Sequence, residues 1–134
     1  MTKTLSSAYL EKRATTGLNL STQNLKIVAL DATYTYSAAH DFLDDIAGGA
    51  IVATSGNLGS KTTTAGVLDS ADVSMGSPAA GDTITQFWLY RDTGSSATSE
   101  LIYYWNEDAA GSAVSLATNG EAISVVVNAS GYFR

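Results

Sequence analysis

The chain has no cysteine among its 134 residues, which removes disulfides, thiolate metal sites and cysteine nucleophiles together and leaves stability to packing alone. It has one histidine, His40, so no imidazole partner exists to complete a ligand set or a relay. A single proline, Pro78, leaves turn-making to Gly, Asn, Asp and Ser. Lys and Arg number 7 against 13 Asp and Glu, a net charge of −6. The basic residues are scattered, and phosphate binding needs them clustered, so nucleic acid is not an expected partner. The mild acidity serves solubility. No apolar stretch approaches the length of a membrane span, and Lys3 is followed by no apolar run before Glu11, Lys12 and Arg13, so the amino end does not read as a secretion signal. Manufacture in a reducing, bacterial-type cytoplasm, or in a particle assembled there, is the expectation.

What is present is concentrated in one stretch. Asp82 to Asp108 carries both tryptophans and three of the seven tyrosines, with a polar hinge at its middle. Thr83 to Arg91 and Glu100 to Asn106 are rich in the aromatic and branched residues that suit a pleated surface, and Asp92 to Ser99 has turn chemistry, so the stretch is expected to form a long β-hairpin. Alternation places Ile84, Trp88 and Tyr90 on one face of the first arm and Phe87 and Leu89 on the other. On the second arm Leu101, Tyr103 and Trp105 oppose Ile102 and Tyr104. Both faces are apolar, which suits a strand pair that is covered on both sides.

Residues 1–24 are rich in Thr and Ser and read as a separate amino-terminal arm, in which Ser7 to Ala14 could wind into one or two helical turns capped by Ser7. Leu25 to Asp31 is a strand. His40 to Ile46 has helical spacing of Phe42, Leu43 and Ile46, closed by Gly48 and Gly49. Ala50 to Ser55 is a second strand, Leu58 to Ala65 a Thr-rich edge strand protected by Lys61, and Val67 to Met75 a further candidate. Val114 and Leu116 are placed to pair briefly, Asn119-Gly120 is a tight turn, and Glu121 to Asn128 is the last strand. The fold class is therefore all-β: a compact β-sandwich or barrel over residues 25–134, with one short helix and an extended N-terminal arm.

Candidate chemistry is thin. His40 beside Asp41, Asp44 and Asp45 has the residue types of a metal or acid–base site, but a lone histidine among carboxylates on a short helix is more simply a surface feature. Asp69 and Asp72 lack the dense oxygen pattern of a calcium loop. Gly56 to Thr62 fails as a phosphate-binding loop, because Ser60 stands where glycine must precede the lysine and a Thr-rich strand follows where a helix is needed. No G-x-S-x-G elbow occurs. An enzyme is disfavoured, with no catalytic residue, cofactor or metal expected. The aromatic arms could stack sugars, with Tyr103, Tyr104 and Trp105 as the residues concerned.

Several segments together resemble a family of small tailed-phage virion proteins of the head decoration or capsid cement type. They are Leu25 to Leu30, His40 to Ile46, Ser55 to Leu58, Gly66 to Val73, Tyr90 to Gly94, Ser99 to Ile102 and the terminal Gly131-Tyr132-Phe133-Arg134. The resemblance implies a non-enzymatic β-module carried in many copies on the outside of a capsid, with the major capsid protein as partner, a homo-oligomer such as a trimer, and no cofactor. On that basis Leu5, Tyr9, Leu10, Leu18 and Leu20 are the expected partner-binding residues, anchoring the arm across a subunit boundary by strand addition. A tail, baseplate or fibre-like adhesion component is the alternative.

Overall fold

The computed structural model describes residues 3–15, 19–128 and 130–132. Its centre is one antiparallel sheet of five strands in the order β1-β7-β6-β2-β3. These are β1 (Lys3–Leu5), β2 (Leu25–Leu30), β3 (Ile51–Thr54), β6 (Gln86–Arg91) and β7 (Leu101–Trp105). Two small ladders flank it, β4 (Val73–Ser74) with β9 (Ser124–Val125), and β5 (Thr83–Ile84) with β8 (Leu116–Ala117). Among the described residues the one α-helix, α1 (Ser7–Thr15), packs along β7. The protein is thus all-β with a single short helix. It is not a closed barrel, because β1 and β3 remain the two edges of the sheet.

The aromatic hairpin is the spine. β6 pairs β7 on one side and β2 on the other, so Trp88 and Leu89 sit in the middle of the sheet and are wholly buried. Both faces are covered, as two-sided apolar strands require. Leu25, Ile27, Ala29, Phe87, Leu89 and Ile102 pack under the loops that carry Leu58, Leu68, Val73 and Met75. Val28, Leu30, Trp88, Tyr90, Leu101 and Tyr104 pack under Tyr34, Ile46 and Ala50. The second layer of the expected sandwich is therefore built from loops and short ladders rather than from a second full sheet.

Two irregularities change which face a side chain meets. The pairing Leu89↔Tyr103 is followed by Tyr90↔Leu101, so Ile102 is an extra residue on β7, a β-bulge that reverses the alternation beyond it. Leu101 therefore joins Trp88 and Tyr104, and Ile102 joins Tyr103 and Trp105, unlike the strict alternation expected for the second arm. On the first arm the strand breaks at Thr85, whose N–H goes to Leu30 O at 2.9 Å. Ile84 consequently packs with Phe87 and Leu89 rather than with Trp88.

Elsewhere the regular elements are shorter than their residue patterns imply. Leu43–Asp45 is a single 3-10 turn. Between Leu58 and Ala65 there is no strand, only a bridge between Thr62 and Asp69, with Ser60 and Ala65 at positive φ. A Thr-rich alternation without large apolar side chains has little to bury, and nothing there offsets the cost of an extended pairing.

The segment expected as an extended arm lies on its own chain. Lys3, Thr4 and Leu5 pair with Trp105, Tyr104 and Tyr103. Ser6 then does three things: its N–H donates to Ile102 O at 2.9 Å, its hydroxyl donates to Leu101 O, and its Oγ accepts from Tyr9 N–H at 3.1 Å. Ser6 rather than Ser7 is thus the N-cap of α1, because the same side chain that ties the chain to β7 satisfies an orphan donor of the first turn.

Candidate functional site

A cleft of about 310 Å³ lies between the sheet and the carboxy-terminal strand region. Its floor comes from the hairpin. Phe87 and Trp105 are directly paired across β6 and β7, with ring centroids 5.2 Å apart and planes inclined by 19°. Tyr103, two residues before Trp105 on the same face, stacks at 5.7 Å and 26°. Tyr132 closes one side, tilted by 56° against Trp105 at 6.3 Å. Ile123, Val125 and Val127 form the wall, partly buried against the same core.

Tyr132 is held there by backbone. Its N–H donates to Leu68 O at 2.8 Å and its hydroxyl lies 3.0 Å from Ser70 Oγ. Gly131 permits the turn into it. Its φ is +75°, and a Cβ at this position would stand 2.4 Å from Leu68 O and 2.5 Å from Val67 Cγ1, so the close approach excludes any side chain.

The mouth mixes charge with exposed apolar groups. Lys3 Nζ lies 3.9 Å from Glu107 Oε1 and donates to Asp108 O at 3.2 Å. Asp108 Oδ1 accepts from the N–H groups of Ala110 and Ser112, each at 2.9 Å. Val126 is 75% exposed and Leu116 42% exposed on the lip. Burial, and secondarily the nearby Glu107 charge, raises the Tyr103 phenol above its ordinary pKa. Burial also raises Tyr132, against the lowering effect of its bond to Ser70. Both phenols therefore stay neutral in any ordinary buffer.

The opposite face of the sheet holds a buried polar network around His40. Trp88 Nε1–H donates to Tyr34 Oη at 3.1 Å, and Tyr34 Oη lies 2.8 Å from His40 Nδ1. Gln86 Nε2 donates to Asp31 O and Tyr34 O at 2.7 and 2.8 Å, while its Oε1 accepts from Tyr104 Oη at 2.7 Å. Burial pushes the Tyr34 phenol up to about 12, despite the bond from Trp88. The nearby carboxylates serve the backbone. Asp45 accepts from the N–H groups of Phe42 and Asp41, which hold its pKa low against a small desolvation, and Asp41 accepts from Ser7 Oγ at 2.7 Å. This arrangement fixes the 31–50 segment over the sheet. Among the described residues no three His, Asp or Glu side chains are grouped to hold a metal ion.

The residues singled out in the sequence are distributed unevenly. Tyr103 and Trp105 line the cleft, but Tyr104 is buried on the other face. Of the residues expected to bind a partner, Tyr9 and Leu20 are 4% and 5% exposed within the chain's own core. Leu5 is partly buried beside them. Leu10 is 40% exposed, and Leu18 lies outside the described residues. Asp72 accepts from Val127 N–H at 2.9 Å, and Asp69 caps the N–H of Ser70 at 2.9 Å. Lys61 donates to Leu58 O at 3.1 Å. The cleft as a whole was not legible beforehand, since its wall, Ile123 to Val127, reads as one more core strand. Compared with models of known protein families and with curated proteins, the chain gives no match.

Proposed function

We propose that the chain is a non-enzymatic structural protein of a tailed-phage virion that sits in many copies on the capsid exterior, binds the major capsid protein across adjacent capsomers and so stabilises the shell. The observation that carries the reading is where apolar surface is left in water. The sheet is covered on both faces from within, yet Val126 and Leu116 stand exposed beside the same aromatic cleft. Single exposed apolar residues are ordinary, but two of them lining one aromatic cleft are what an attachment surface would present. Leu10 on α1 is the third large apolar residue left outside among the described residues. The resemblance to phage decoration proteins supplies the partner.

Mechanistically, a ligand whose site is made of neighbouring capsomers binds the closed lattice and not the dispersed subunits, so its binding free energy adds to the stability of the assembled state. Weak contacts per copy suffice when copies are numerous. Oligomers such as trimers would multiply contacts further.

The test is co-sedimentation of the purified chain with expanded heads that lack it, together with its copy number in intact particles. Saturable binding to expanded heads, on the order of the shell protein's own copy number, is the expected result. Leu10→Glu, Val126→Glu and Leu116→Glu together are expected to abolish it while leaving the fold intact. Absence of binding to heads ends the reading, and a few tens of copies per particle would instead favour a tail or baseplate component.

A further inference from the structure

We infer that the aromatic cleft receives a basic side chain, lysine or arginine, presented by an extended segment of a partner protein. This rests on the reading of the chain as an attachment protein and names the chemistry of its contact.

Three observations select that occupant. The floor is built of stacked rings, Phe87, Trp105 and Tyr103, with Tyr132 tilted across them. Aromatic faces attract a cation on an apolar stem, and guanidinium stacks on them as well. The rim carries Glu107 and Asp108 against the single ammonium of Lys3. The mouth therefore has one negative charge to spare, on a chain whose net charge is −6. Two of the lining oxygens are spent on turns, Asp108 Oδ1 with Ala110 and Ser112 and Asn128 Oδ1 with Ser130. What is left at the mouth is the excess carboxylate charge, which attracts a cation more strongly than a neutral sugar.

A free amine would fill the cleft and leave the lip wet. Val126 and Leu116 project at that lip, and covering them needs chain on either side of the inserted residue. Lys3 is the intrinsic competitor: its ammonium already sits beside Glu107, so an incoming cation shares that carboxylate or displaces it.

The tryptophan indoles provide the readout. Trp88 is fully buried with its N–H bonded to Tyr34, so in the ¹⁵N-labelled full chain the Trp105 indole signal reports the cleft. The probes are acetyl-Gly-Gly-Arg-Gly-Gly-amide, its lysine and norleucine counterparts, and methyl glucoside. Saturable movement of the Trp105 signal is expected with the arginine and lysine peptides, with about fivefold to tenfold weaker binding of norleucine. Glu107→Gln is expected to weaken the basic peptides and Lys3→Gln to strengthen them, a pair of opposite signs that a purely structural role would not produce. Equal binding of norleucine, movement with glucoside alone, or no movement with any probe overturns the inference. The titration needs no capsid. Peptide binding without head binding would remove the virion reading and keep this one, and head binding with a silent Trp105 would do the reverse.

Discussion

Glu100 is the charge on which the loop end of the hairpin depends, where it faces Arg91 across the 92–99 connection. It is 5% exposed; Arg91 grips it through Nε and Nη2 at 2.6 and 2.8 Å, and Lys12 from α1 adds its ammonium. Burial alone would raise its pKa, but the Arg91 fork and Lys12 outweigh that and hold it below the ordinary carboxylate value. Because the folded value is depressed, the stabilisation is present above the unfolded value of 4.5 and is lost as pH falls through the folded one. Removing one partner of a buried pair leaves the others uncompensated, though Lys12 and Arg91 are partly solvated and soften the loss. Glu100→Gln should therefore lower unfolding free energy by about 2–3 kcal/mol at neutral pH. The gap to the parent should narrow as pH falls below 4.5 and close once the folded carboxyl is protonated, as urea titrations across pH would show. A constant gap down to the acid limit would mean that Glu100 acts by shape and not charge.

At the scale of elements, the amino-terminal strand and helix are held by the pairing of β1 with β7, by Tyr9 and Leu5 in the core, and by polar contacts centred on Ser6. Ser6→Ala removes the cap of α1 and the bond to Leu101 O, while leaving the Ser6 N–H to Ile102 in place. The expected loss is about 1–2 kcal/mol. Amide exchange should read it as faster exchange confined to residues 3–15 and to the β7 edge that pairs with β1, because β2 and β6 have partners on both sides that do not involve this segment. The strands with large apolar side chains, β2, β3, β6 and β7, were legible in the sequence because burial and period agree there. What was not legible arises from contacts distant in sequence. The bulge at Ile102 is decided by pairing with Leu89 and Tyr90, and the Glu100 cluster joins Lys12 to a residue 88 positions away. The candidate site shows the same division: Tyr103, Tyr104 and Trp105 could be named together as stacking candidates, but Tyr104 is buried on the other face, and the wall and the lip at Val126 follow from how residues 114–128 and 130–132 fold back.

The whole molecule is one sheet serving two separate cores, and cooperativity must pass through the strands. Leu68, 1% exposed, belongs to the core beneath the cleft, and Ile46, 4% exposed, to the core around Trp88. Neither core contains a residue of the other, so side-chain truncation on one face leaves the packing on the other unchanged. Leu68→Ala and Ile46→Ala should each cost about 2–4 kcal/mol, and the double variant their sum to within about 0.5 kcal/mol. Yet unfolding should remain a single transition. β2 and β6 contribute alternate side chains to both cores, and neither core can melt while the strands stay in register. Trp88 emission reports one face and Trp105 the other, so coincident midpoints from variants carrying a single tryptophan would establish the coupling. Separated midpoints would mean that the loops covering each face unfold on their own, leaving the bare sheet as an intermediate with both aromatic surfaces exposed.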